Sequence, residues 1–296
     1  MAILLLLLLS LALSAPAAAG DGLAPAVAAR PGCPTRCGAV DVPFPFGVGE
    51  QCALAKAHTR YPFKLDCLSV AGVSKPFYKG IEVTNISLSD GKAWMKMNMS
   101  KNCYNQSTGA MEGNRAHVDF TGTPFWISNV DNKIVVIGCQ TFAYLQINNV
   151  LTGCVSTCNK DSIPVNVKCS GAGCCQVDFP NGTWYYSTYF SESYNTSQIW
   201  RSSPCSYITV IETTAFNFYT TYLNSTVFYD TYKGLAPVSL DWIITMDSCD
   251  EAKNTTSYAC VSDRSTCVND PKGGYRCSCS HGFQGNPYMK NGCTAL

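Results

Sequence analysis

Apolar and polar residues alternate with a period of two in several stretches of this chain, and its first half has no helical period of useful length. The clearest case is a β-hairpin over 81–89 and 92–100, with Asp90-Gly91 suited to a two-residue primed turn. In its second arm Met95, Met97 and Met99 share one face, with Trp94, Lys96 and Asn98 on the other. A methionine row of this kind is read as core packing rather than as a metal site. Phe63 and Leu65 share a face in strand phase, and residues 123–128 and 133–139 read as two further strands joined through 129–132. The alternation of Pro and Phe in Pro43-Phe44-Pro45-Phe46 forbids a helix and predicts an extended segment with Phe44 and Phe46 on one face. Residues 184–190, 207–211 and 215–222 are rich in aromatic and β-branched residues and read as strands. The expected fold class is all-β.

Eighteen cysteines in 296 residues, an even number, imply a disulfide framework and an oxidising compartment. Cys174 and Cys175 are neighbours in an expected strand and point to opposite faces, so they are expected to bridge to different partners. Residues 1–19 read as a secretory signal: a Leu-rich apolar run of about a dozen residues, short of the roughly 20 a span needs, then an Ala-x-Ala site near Ala19. Residues 20–32, rich in Ala, Pro and Gly, read as a flexible leader. No second stretch approaches a membrane span; Ile134-Val135-Val136-Ile137 is strand-sized. Seven Asn-x-Ser/Thr sites, at Asn85, Asn98, Asn105, Asn181, Asn195, Asn224 and Asn254, fit an exported glycoprotein. The expected location is secreted, in the extracellular space or cell wall. Composition divides the rest into two cysteine-rich β domains, 33–150 and 151–245, and a small module over 246–296.

Six of the cysteines, Cys249, Cys260, Cys267, Cys277, Cys279 and Cys293, lie in that module, and Cys277-Ser278-Cys279 leads into Gly282-Phe283-Gln284-Gly285. This pattern resembles an epidermal-growth-factor-like module, whose covalent links replace a core too small to hold it. Zinc is disfavoured because its ligands come as Cys-x2–4-Cys pairs. The resemblance implies the pairings Cys249–Cys267, Cys260–Cys277 and Cys279–Cys293. A loop the size of the second is worth about 3 kcal/mol in the chain-entropy model. The calcium-binding version of the module is a poor fit: of Thr245, Asp247 and Ser248 only Asp247 matches, and Asn269 and Tyr275 match in part. No cofactor or metal is expected.

The chain as a whole resembles the extracellular part of plant wall-associated receptor kinases. Cys37-Gly38, residues 42–49, Cys52 and Cys67 are similar to their galacturonan-binding domain. Residues 125–128 and 132–139 are similar to the strand pair that follows. Residues 153–158 and 169–176 are similar to the wall-associated C-terminal region, and Asp241-Trp242, residues 258–260 and 285–288 to the growth-factor-like module. Family members continue into another such module, a membrane span and a kinase. None is present in this sequence, so the expectation is either a truncated, receptor-like, released protein or a fragment of a longer one, with no phosphoryl transfer carried by these residues.

The resemblance implies binding of pectin, a polymer of galacturonate whose carboxylates call for cationic partners, Arg above all. The whole chain carries only +1, but residues 30–64 hold Arg30, Arg36, Lys56, Arg60 and Lys64, with His58, against Asp41 and Glu50. Arg36, Lys56, Arg60 and Lys64 are the candidate galacturonate contacts. The balanced total gives no reason to expect a nucleic-acid partner. His58, His117 and His281 lie far apart with no nucleophile motif beside them, so no catalytic residue is expected. The Trp184-Tyr185-Tyr186 run is weighed as a sugar platform and read as half-buried strand. The expected function is binding of cell-wall polysaccharide. The alternative is a soluble receptor ectodomain, a decoy or co-receptor that binds a peptide or another receptor ectodomain.

Overall fold

The computed structural model describes residues 29–54, 62–147, 149–158 and 168–296. The expected signal segment, most of the leader, Lys56, His58 and Arg60 lie outside the described residues. The fold is mostly β, and three main sheets surround one shared core. A seven-stranded sheet runs Phe125–Ile127, Leu235–Trp242, Lys92–Asn98, Ile81–Ser87, Val73–Tyr78, Lys64–Val70 and Gly47–Val48. A five-stranded sheet runs Cys174–Asp178, Asn132–Ile137, Cys205–Glu212, Ser100–Asn105 and Ala110–Gly113. A four-stranded sheet runs His117–Asp119, Tyr185–Phe190, Thr141–Ile147 and Val150–Ser156.

The period-two pattern is what the sheets bury. Met95 and Met97 face the shared core, while Met99 lies in a second apolar cluster. The five-stranded sheet is apolar on both faces. Ile134, Val136, Ile208 and Val210 face the shared core; Val135, Ile137, Tyr207 and Ile211 face the second cluster. That is why the run at 134–137 is continuously apolar rather than alternating. The second face is covered by residues 213–234, a 3-10 turn Thr213–Ala215 and two short helices, Thr221–Asn224 and Val227–Thr231. Residues 215–222 are therefore not the expected strand. Their aromatic richness reflects packing onto the sheet, with Tyr222, Leu223 and Phe228 buried beneath it, and side-chain burial is what β-propensity measures.

Two further expectations change. Residue pairs Ser87↔Lys92 close the hairpin, so its loop is the four residues Leu88–Gly91 rather than two. Ser87 and Asp90 brace that loop: the hydroxyl donates to the carboxylate at 2.6 Å and accepts from Asp90 N–H at 3.2 Å. The Pro-Phe segment is also not extended throughout. The chain turns at Phe44–Pro45, whose peptide bond is cis, and Phe46 N–H donates to Pro43 O at 2.9 Å. Both phenylalanines are nonetheless buried, Phe46 against Phe63, Phe125 and Trp242.

Strands from either side of residue 150 share all three main sheets, and Val150–Ser156 itself spans the expected boundary. Leu235–Trp242, for instance, inserts between Phe125–Ile127 and Lys92–Asn98. All eighteen cysteines are paired. The first twelve form Cys33–Cys52, Cys37–Cys67, Cys103–Cys205, Cys139–Cys158, Cys154–Cys175 and Cys169–Cys174. Adjacent Cys174 and Cys175 thus go to different partners.

The terminal module holds a helix, Cys249–Lys253, opened by a Ser248/Glu251 capping box. Two hairpins follow, Ser265–Asn269 with Tyr275–Cys279 and Phe283–Gly285 with Cys293–Ala295. Its disulfides are Cys249–Cys267, Cys260–Cys277 and Cys279–Cys293. The module is not a loose appendage. Tyr275 and Tyr288 join the shared core, Tyr288 lies 5.9 Å from Trp242, and Asn286 donates to Phe44 O at 2.7 Å.

Candidate functional site

The N-terminal clasp is a pair of two-residue strands, Arg36–Cys37 and Val40–Asp41, fastened by Cys33–Cys52 and Cys37–Cys67. Gly38 turns it at φ 59°, and a Cβ there would stand 1.9 Å from Ser74 O, so no other residue fits without moving backbone. Arg36 is exposed and forms an ion pair with Asp41 at 2.8 Å, its other edge donating to Ala39 O at 3.1 Å. Lys64, also exposed, pairs with Asp66 at 3.3 Å. These two candidate contacts sit in separate ion pairs on separate elements. Arg30 lies over the Phe44 ring at 4.5 Å and donates to Gln51 O.

The solvent face of the seven-stranded sheet brings together cations that the stretch 30–64 does not contain. Glu82 accepts from Lys75 at 3.1 Å and from Lys96 at 2.9 Å, leaving that triad with a net positive charge. Phe77 stands between Asp66 and Glu82 in register, and exposed Leu68 faces Lys75 across the Lys64–Val70 and Val73–Tyr78 hairpin. Burial alone would push the Glu82 carboxyl up, but hydrogen bonds and charge from Lys96 and Lys75 outweigh it and hold it below the usual carboxylate range. Lys79, exposed at the adjoining turn, makes no ion pair among the described residues. Residues 33–97 carry eight Lys or Arg against five Asp or Glu, in a chain of net charge +1. The two-residue period of a strand puts Val73, Lys75 and Phe77 on one face, and a window of net charge over 30–64 stops short of it.

A second charged group ties the sheet to the terminal module. Lys92 pairs with Asp131 at 2.5 Å and Asp241 at 2.8 Å, and Lys272 reaches Asp241 at 2.6 Å. Burial would lower the Lys92 ammonium, but Asp131 and Asp241 raise it above its ordinary value. This network is saturated by its own carboxylates, which makes it a structural clamp rather than a ligand site.

The calcium-like positions are engaged with protein: Thr245 donates to the Asp247 carboxylate at 2.9 Å, and Asn269 accepts from Cys249 N–H at 2.7 Å. One carboxylate is a poor match for a cation that takes six to eight oxygens. His117 and Asp119 lie exposed on one strand, and His117 Nδ1 is 2.9 Å from Ser187 Oγ. In the Trp184-Tyr185-Tyr186 run Trp184 is exposed to 40%, Tyr185 is half-buried and Tyr186 is buried, so it offers no continuous platform. Five sequon asparagines are exposed, whereas Asn105 and Asn195 are half-buried and donate from Nδ2 to Glu112 and Glu192 O.

Residues 33–97 match the family described as wall-associated receptor kinase galacturonan-binding. Among curated proteins, the chain is 33% identical over 269 residues to wall-associated receptor kinase 2 of Arabidopsis thaliana. It is 32% identical over 284 residues to wall-associated receptor kinase 5 and 31% identical over 280 residues to wall-associated receptor kinase 4 of the same plant. Each match covers 89% of this chain but 34% of the relative, so the chain spans about a third of the length of these proteins. No solved structure matches. This chain therefore carries a galacturonan-binding domain of the wall-associated receptor kinase kind at residues 33–97 and is homologous to those kinases over 89% of its length.

Proposed function

We propose that this chain is a secreted, glycosylated, non-enzymatic protein of the cell wall that binds pectin through residues 33–97. The match of those residues to the galacturonan-binding family is the observation that carries the reading. The lysines of the sheet's solvent face supply a physical basis. Lys64, Lys75, Lys79 and Lys96 present charge to a polyanion, and Glu82 holds two of them in fixed positions. Arg36 adds a cationic side chain on the clasp, and Lys56 and Arg60 are further candidate contacts within the same 33–97 match. Nine disulfides suit an extracellular setting. The relatives are named as receptor kinases; phosphoryl transfer is no part of this proposal.

A protein partner is the second reading, favoured by the exposed apolar hairpin tip of Leu68, Val70 and Val73. A single experiment separates the two. Glycosylated protein is tested on de-esterified and methyl-esterified galacturonan across a salt series, beside Lys64→Gln/Lys75→Gln/Lys96→Gln and Arg36→Gln/Lys56→Gln/Arg60→Gln variants. Preference for the free acid, weakened by salt because exposed pairs are screened over about 8–10 Å, is expected, with losses of tenfold or more in the sheet variant. Equal retention on both polymers, unaffected by either variant, would move the assignment to a protein partner.

A further inference from the structure

One cleft of about 790 Å³ lies where the 33–97 domain meets the terminal module. Its walls come from Asn85 and Trp94 of the sheet, Asp90 of the hairpin loop, Asp41 of the clasp, and Gln284 and Thr294 of the module's last hairpin. Those carboxylates make it a poor site for a uronate, and it faces a different need. Asn85 begins the sequon Asn85-Ile86-Ser87 and is exposed. Its Oδ1 accepts from Ile86 N–H at 2.9 Å, whereas its Nδ2 has no hydrogen-bond partner among the described residues. Asn105, Asn195 and Asn254, by contrast, commit Nδ2 to Glu112, Glu192 O and Asp250 O.

Trp94 is the residue directly across the ladder from Asn85, so the two side chains emerge side by side on one face of the sheet. The indole is oriented by its N–H, which donates to Glu212 at 3.1 Å. A sugar attached to Asn85 would begin beside an aromatic ring, inside a cleft whose far wall is the module. The volume falls within the range of about 300–1,000 Å³ found for sites that enclose small ligands. The wall chemistry also suits it, with carboxylate, amide and hydroxyl acceptors for sugar hydroxyls around one aromatic anchor.

We infer that the Asn85-linked glycan occupies this cleft, stacked on Trp94, and fastens the terminal module to the 33–97 domain. In its attachment Nδ2 forms a bond to the anomeric carbon of a lipid-linked oligosaccharide pyrophosphate. The carbon–oxygen bond to pyrophosphate breaks, the lipid pyrophosphate leaves, and one amide proton is lost. The inference rests on the reading that the chain is exported and glycosylated, and is independent of galacturonan binding.

The test uses full-length protein from a glycosylating host, with occupancy mapped by mass spectrometry. Hydrogen exchange over 279–296 and the thermal midpoint are then compared for wild type, Asn85→Gln, Trp94→Phe, the double variant and Asn224→Gln. Loss of the Asn85 glycan is expected to speed exchange of that hairpin severalfold and lower the midpoint by a few degrees. Asn224→Gln is expected to leave the hairpin unchanged, and the Asn85→Gln effect is expected to shrink in the Trp94→Phe background. An unoccupied Asn85 beside occupied sequons elsewhere would overturn the inference, as would unchanged exchange once an occupied Asn85 is removed. Absence of glycan at all seven sites would instead overturn the export reading on which it rests.

Discussion

Asn132 shows how much one polar side chain can hold. It is fully buried where the chain passes from Phe125–Ile127 of one sheet into Asn132–Ile137 of another. Its Nδ2 donates to Ser128 O and Ser239 O, both at 2.7 Å, and its Oδ1 accepts from Ser239 N–H at 3.0 Å. Asn132→Ala would strand three buried backbone groups, and a loss of about 2–4 kcal/mol is expected by denaturant unfolding. Glu82 gives a pH-dependent counterpart. Its carboxyl is held below its unfolded value, so its contribution is present above about pH 4.3 and disappears as pH falls through the folded value. Glu82→Gln should therefore flatten the acid side of the stability profile, with the mutant and wild type converging at low pH. A constant offset down to the lowest pH at which the fold persists would remove Glu82 as a source of acid sensitivity.

At the level of elements, the hairpin 81–98 is held from its tip as well as its flanks. Gly91 sits at φ 64° in the loop, and a Cβ there would stand 1.8 Å from the guanidinium of Arg276 in the module. Gly91 O also accepts from Trp242 N–H at 3.1 Å. Gly91→Ala combines backbone strain with displacement of a side chain, and a loss of about 1–3 kcal/mol is expected. Arg276→Ala should relieve the steric part, so the double variant is expected to recover some stability relative to Gly91→Ala alone. Strict additivity would show that Arg276 does not press on the loop.

For the whole molecule, Trp242 is the joint. It is fully buried, with Phe46 at 5.2 Å, Phe63 at 5.9 Å and Tyr288 of the module at 5.9 Å. The module's backbone continues the contact, since Ile244 N–H donates to Tyr275 O and Tyr275 N–H to Thr245 O. Tyr288→Ala removes the module's side of this joint and leaves Trp242 in place. Its expected signature is proteolytic release or accelerated exchange of 246–296, with a smaller change in the sheets. Uniform destabilisation of the whole chain would instead mark module and sheets as one cooperative unit.

The sequence by itself determined the local pattern: all-β character, the inward methionines, the divergent partners of Cys174 and Cys175, and the terminal module's motif. Each follows from alternation along a strand or from spacing within a few residues, which the backbone enforces wherever the segment ends up. Only the tertiary structure decided which strands pair, how residues 213–234 cover the second face of the five-stranded sheet, and where the module docks. Leu235–Trp242 lies beside Lys92–Asn98 although well over a hundred residues separate them, and nothing local to either strand names its partner. The cationic face divides the same way. The charges of Lys75, Glu82 and Lys96 stand in the sequence, but the sharing of Glu82 by Lys75 and Lys96 required three strands to meet in register. Charge counted along a chain gives composition; only folding brings charges from different strands onto one face.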